Sequence, residues 1–199
     1  MEHIVNSETD GIDFKRYSAY IASIREMIPA DVYSFASDSR YFDLNSHSSL
    51  HDSWLESLTI REVASGERKE IRRMEVAICL LGPFHDRRIH LHYSGVTLYT
   101  FDAPPHYGEQ RFEHRAHGDL FTHEIRLGHD GLLIHELLFE NDSTFLIECS
   151  GLRHSEEMIA NKETEQGVDL NTCPLLSRKH HDHSTINPEI GVHPRSGVR

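Results

Sequence analysis

Apolar positions change their period once along this chain. In "IDFKRYSAYIASIREMI", residues 12–28, Phe14, Tyr17, Ile21, Ile24 and Ile28 recur at steps of three and four, and Pro29 follows. That spacing gathers the apolar side chains on one side of a helix and proline cannot continue it, so an amphipathic helix is predicted over 12–28. One apolar stripe needs one partner surface, which a following sheet would supply. Residues 31–46 carry Tyr33, Phe35, Tyr41 and Phe42 without a clean period. A short helix and an irregular packed segment both fit them.

From Trp54 the pattern alternates. Trp54, Leu58 and Ile60 fall on one face of "WLESLTI" and are expected to anchor the core; Met74, Val76, Ile78 and Leu80 fall on one face of "IRRMEVAICLL". A period of two is the signature of half-buried strands. Gly66 lies in the turn between these two, and "GPFHD" at 82–86 makes the next turn. Ile89, Leu91 and Tyr93 then alternate, but after Ser94-Gly95 the apolar phase moves to Val96 and Leu98. A β-bulge at the glycine would shift the phase and curve the sheet. After a polar segment at 103–118, "LFTHEIRL", "LLIHELLF" and "TFLIEC" are joined by short turns, which predicts an antiparallel meander.

The fold class expected is therefore α+β: an N-terminal amphipathic helix packed on a curved antiparallel sheet of about six strands, the sheet covering 53–150. A short helix is predicted at Ser155 to Lys162. A single domain over 1–177 and a polar, histidine-containing, flexible tail over 178–199 complete the organisation.

Charge narrows the partners. The 199 residues carry a net charge of -12. From residue 178 onward, Arg178, Lys179, Arg195 and Arg199 outnumber Asp182 and Glu189, so the tail carries +2 and the rest -14. An acidic body repels phosphate backbones and attracts basic proteins, so a protein partner is expected and nucleic acid is not. No apolar run is long enough to cross a bilayer, and "MEHIVNSETDG" has neither a basic start nor a small-residue cleavage site. With Cys79, Cys149 and Cys173 widely spaced, a cytoplasmic protein with reduced thiols is the expectation.

The 17 histidines carry the candidate chemistry. His90 and His92 stand at i and i+2 of a predicted strand, so both imidazoles point to one face, where they would meet a partner or hold a transition metal such as zinc. A metal would need a third ligand, for which His85 and His114 are candidates; no carboxylate follows at the spacing that a cupin site uses. His51-Asp52, His85-Asp86 and His129-Asp130 all sit at strand corners, where aspartate stabilises turns, and not on helices as in HD phosphohydrolases. His51-Asp52 is expected to launch the sheet, with Asp52 stabilising the turn. His123 and His135 flank one hairpin; pairing 127 with 132 would put 123 opposite 136 and send His135 to the other face. No GxSxG elbow, phosphate loop or HExxH occurs, which weakens enzyme readings.

"LHDSWLESLTI", "RRMEVAICLL", "SGVTLY" and the late meander together resemble a loose set of small bacterial β-rich proteins, some of them immunity proteins of toxin systems. The resemblance implies a non-enzymatic module that blocks a basic toxin domain by direct binding, without a cofactor. Exposed sheet residues His90 and His92, with Glu109, Arg111 and Glu113 of the polar loop, are the partner-binding candidates. A histidine-based metal protein or metal-dependent enzyme using His90 and His92 is the alternative.

Overall fold

The computed structural model describes residues 1–7, 11–102 and 117–160. The chain divides into units Met1–Asn161 and Lys162–Arg199, and the fold below belongs to the first. The expected boundary at 177 and the tail over 178–199 lie outside the described residues.

Two short strands, β1 (Val5–Ser7) and β2 (Gly11–Asp13), pair antiparallel before the helical layer. Helix α1 (Lys15–Ser23) begins three positions later than its apolar stripe predicts, because residues 11–13 belong to this hairpin and the Asp13 carboxylate accepts the Lys15 N–H at 2.8 Å. A 3-10 turn, Arg25–Met27, carries the stripe on to Pro29, and α2 (Ala30–Ser37) follows. Tyr17, Ile21, Ile24 and Ile28 are buried, as the three-four spacing requires. The Tyr17 and Tyr20 hydroxyls accept the N–H groups of Ile125 and Leu127 at 3.1 and 2.8 Å, which fixes α1 to the edge of the sheet.

The sheet is antiparallel and six-stranded: β3 (Trp54–Ser65), β4 (Ile71–Leu81), β5 (Arg87–Phe101), β6 (Leu120–Leu127), β7 (Leu133–Phe139) and β8 (Thr144–Met158), in the order β3-β4-β5-β8-β7-β6. Val76, Ile78, Leu80, Ile89, Leu91, Tyr93, Phe145 and Ile147 fill its covered face. A bulge is present, but not at the glycine as expected: Gly95 sits at φ +59 with the β5–β8 register unbroken from Ser94 to Val96, and the register shifts between Val96 and Leu98. A Cβ at Gly95 would come within 2.2 Å of Ser150 Oγ. Gly95→Ala is therefore expected to cost about 2 kcal/mol, combining left-handed backbone strain with that overlap. A thermal melt lowered by less than about 2 °C would contradict this.

The sheet is not closed, yet it curls until the two residues that lead into β3 meet the first residue of β6. Asp52 N–H donates to Leu120 O at 3.0 Å, and Leu120 N–H to Ser53 O at 2.9 Å. "LHDS" is the clasp that makes this contact. Leu50 and Ser53 are fully buried, Ser53 Oγ donates to Leu50 O, and Asp52 takes the left-handed conformation at φ 63. Asp52 thus occupies the corner expected of it.

Two expectations are corrected. Trp54 and Ile60 do not anchor the core, being 47% and 40% exposed; of the three only Leu58 packs against it. β3 is an edge strand with a register shift between Leu55 and Ser57, and residues 59–73 run beyond the helical layer, exposed throughout. Ser155 to Met158 are not helical: β8 continues to Met158, pairing with β5 as far as Arg87. Pairing with Ile89 and Arg88 overrides the helix preference of Glu156 and Glu157. Residues 159 and 160 continue without helix, and the rest of that predicted helix lies outside the described residues.

Candidate functional site

His90 and His92 emerge on the sheet face opposite the core, as their strand spacing requires. Each faces a carboxylate of a neighbouring strand: His90 Nε2 lies 3.2 Å from Glu157 Oε2, and His92 Nε2 lies 3.4 Å from Glu75 Oε2. Arg61 donates to the same Glu75 oxygen at 2.9 Å, and Arg88 donates to Glu56 at 2.6 Å. The outer face of β3, β4, β5 and β8 is thus a lattice of cross-strand charge pairs held on a rigid support. Among the described residues no group of three His, Cys, Asp or Glu converges as a metal ion would need. His85 turns instead onto Trp54, with ring centroids 4.5 Å apart, while His114, Glu109, Arg111 and Glu113 lie outside the described residues.

The two hairpin histidines do converge, against the sequence expectation. Leu127 pairs with Leu133 and not with 132, because the His129–Gly131 turn takes one residue more than assumed. A one-residue slip exchanges the faces of a strand, so His123 and His135 share the covered face. His123 Nδ1 lies 3.1 Å from His135 Nε2, and the Tyr93 hydroxyl lies 2.8 Å from His135 Nδ1. With no other acceptor for its proton among the described residues, Tyr93 donates to His135. His135 then donates from Nε2 to His123, which leaves the His123 Nε2–H buried without a partner. Phe42 stacks on His123 at 4.6 Å, and Phe35 stacks on His154 at 4.6 Å. Burial, reinforced by His154, lowers His123 to about 3; burial and His123 hold His135 well below the usual imidazole range. Both imidazoles are buried, and their lowered values keep them neutral.

A third place lies beside the clasp. Trp54, Leu55, His117, Gly118 and Asp119 line a hollow of about 470 Å³. His117 Nδ1 is 2.8 Å from Ser143 Oγ, but Ser143 is fully buried and so is not presented as a nucleophile. Burial raises the Asp119 carboxyl above the usual range, and the nearby Glu140 and Asp52 carboxylates raise it further, against a hydrogen bond from the Trp54 side chain. The sequence marked Trp54 for the core and passed over Asp119. The available signal was a lone tryptophan directly after a His-Asp corner, on a strand with little alternation beyond it.

The thiols point to packing. Burial pushes Cys149 up to about 11, and burial together with Glu56 raises Cys79. No family model, curated protein or solved structure matches this chain.

Proposed function

We propose that this protein is an acidic binding module that neutralises a basic protein partner by direct contact, in the manner of a bacterial immunity protein. The observation that supports it most is the outward face of β3, β4, β5 and β8, where His90, His92, Glu56, Glu75 and Glu157 stand in fixed cross-strand pairs. Side chains already ordered on a strand lose little conformational freedom on binding, so their charges select a partner without a large ordering cost. The net charge of -12 attracts a basic protein to the chain as a whole.

The test is binding of the protein encoded beside this one in its native genome. A stoichiometric complex on size-exclusion chromatography is expected. Its dissociation constant should rise about tenfold or more in a Glu75→Lys, Glu157→Lys double variant, a change of about 1.4 kcal/mol. No complex with any neighbouring product, or a complex indifferent to both substitutions, would count against the reading.

A further inference from the structure

We infer that the hollow beside Trp54 receives a lysine or arginine side chain presented by a protein partner. The inference rests on the binding reading above and adds to it a place and a chemistry.

Trp54 is the sole tryptophan of the chain, and at 47% exposed it leaves much of a large aromatic ring to solvent. Its ring meets His85 edge-on, with centroids 4.5 Å apart, and it lines the hollow together with Asp119. A half-exposed tryptophan is the residue type most enriched at the energetic centres of protein interfaces, and its ring face attracts cations. Leu55 supplies an apolar wall of the kind that packs against the methylene stem of a long basic side chain. The volume of about 470 Å³ falls in the range of sites that enclose small groups, roughly 300–1,000 Å³.

Charge selects the occupant. Asp119 lines the hollow, and Glu140 and Asp52 lie close enough to disfavour its ionisation. Asp52 faces the His51 imidazole at 2.7 Å, which also favours the Asp119 carboxylate; among the described residues no lysine or arginine forms an ion pair with any of the three. A cation seated over Trp54 with its head at Asp119 relieves that crowding. An anionic or purely apolar occupant would increase it or leave it unchanged.

Because the chain has one tryptophan, its emission reports on this site alone. The full chain titrated with acetyl-hexa-arginine amide at low salt should give a saturable change in Trp54 emission, and hexa-glutamate should give none. Asp119→Asn should weaken the arginine peptide about tenfold, whereas Glu26→Gln, which removes the same charge from an exposed position on the helical layer, should leave its affinity within about twofold. Equal losses in both variants would reduce the effect to general electrostatics and overturn the site; so would an unchanged emission. Binding that appears only in an Arg111→Ala, Arg115→Ala variant would mean that the chain's own arginines fill the hollow, and would also overturn it. In a complex with the neighbouring gene product, Trp54→Phe and Asp119→Asn should each raise the dissociation constant at least fivefold. Full affinity in both would defeat the inference while leaving the binding reading intact. The peptide result without any protein partner would support the hollow and defeat the binding reading.

Discussion

Replacing Glu124 by Gln is expected to lower the stability of the fold by about 3 kcal/mol, the usual scale for breaking a buried ionic network by removing one partner. Glu124 is fully buried, and its carboxylate accepts three consecutive backbone amides: Glu2 N–H at 2.9 Å, His3 N–H at 2.9 Å and Ile4 N–H at 2.8 Å. Arg126 donates to it at 3.1 Å and to Glu136 at 2.5 Å, and Glu136 also meets the Met1 amino group at 2.8 Å. Burial alone would raise the Glu124 carboxyl; the amides of Glu2, Ile4 and His3, with Arg126, outweigh it and hold the group below its ordinary value. A glutamine keeps one acceptor oxygen but turns an NH2 towards donors and leaves Arg126 with one buried counter-charge fewer. Chemical denaturation measures the loss. Hydrogen exchange localises it, with the amides of Glu2, His3 and Ile4 opening before the sheet does. A loss below about 1 kcal/mol, or protection unchanged at those three amides, would show that the carboxylate is not the anchor described.

Lowering the pH from 7 to 5 is expected to destabilise the protein by about 4 kcal/mol, because His123 and His135 are held neutral while the unfolded chain takes up their protons. The sign follows from the direction of the shifts. Both folded values lie below the unfolded value near 6.5, so the unfolded state binds more protons throughout the interval between them. Stability therefore falls as pH drops through about 6.5 and keeps falling to about 3, where His123 itself protonates. Each such histidine loses roughly 1.4 kcal/mol per pH unit within that window. His154 and His117, both also lowered by burial, add in the same direction. The depressed carboxylates Glu124, Glu136 and Asp86 reinforce the trend, but chiefly below about pH 4.5, where free carboxyls begin to protonate. Melting temperatures between pH 7 and 5 should fall by about 10 °C in the parent, and His123→Phe should flatten the slope by about half. Equal melting temperatures at the two pH values would mean that the imidazole pair is hydrated.

The strands and the helix were legible because each depends on a local period. Met74, Val76, Ile78 and Leu80 announce β4 wherever it lies in the fold, and the slip of phase at Gly95 marks where β5 changes its buried positions, although the bulge itself lies beyond Val96. What the local pattern could not carry was anything decided by sums along the sheet. The contact of Asp52 and Ser53 with Leu120 results from twist accumulated over six strands, and neither segment advertises it. The faces of His123 and His135 depended on one residue in one turn. Trp54 looked like core because alternation reports which side of a strand a residue takes, not whether anything covers that side. The candidate hollow was therefore invisible, although the "LHDSW" corner that borders it was legible as the entry to the sheet.

The two tyrosine hydroxyls of α1 have one more consequence. β6 is an outer strand, and an outer strand with free amides recruits other chains into intermolecular sheets. Tyr17 and Tyr20 accept from the amides of Ile125 and Leu127, so the helix withholds these two donors from any strand that would add to this border.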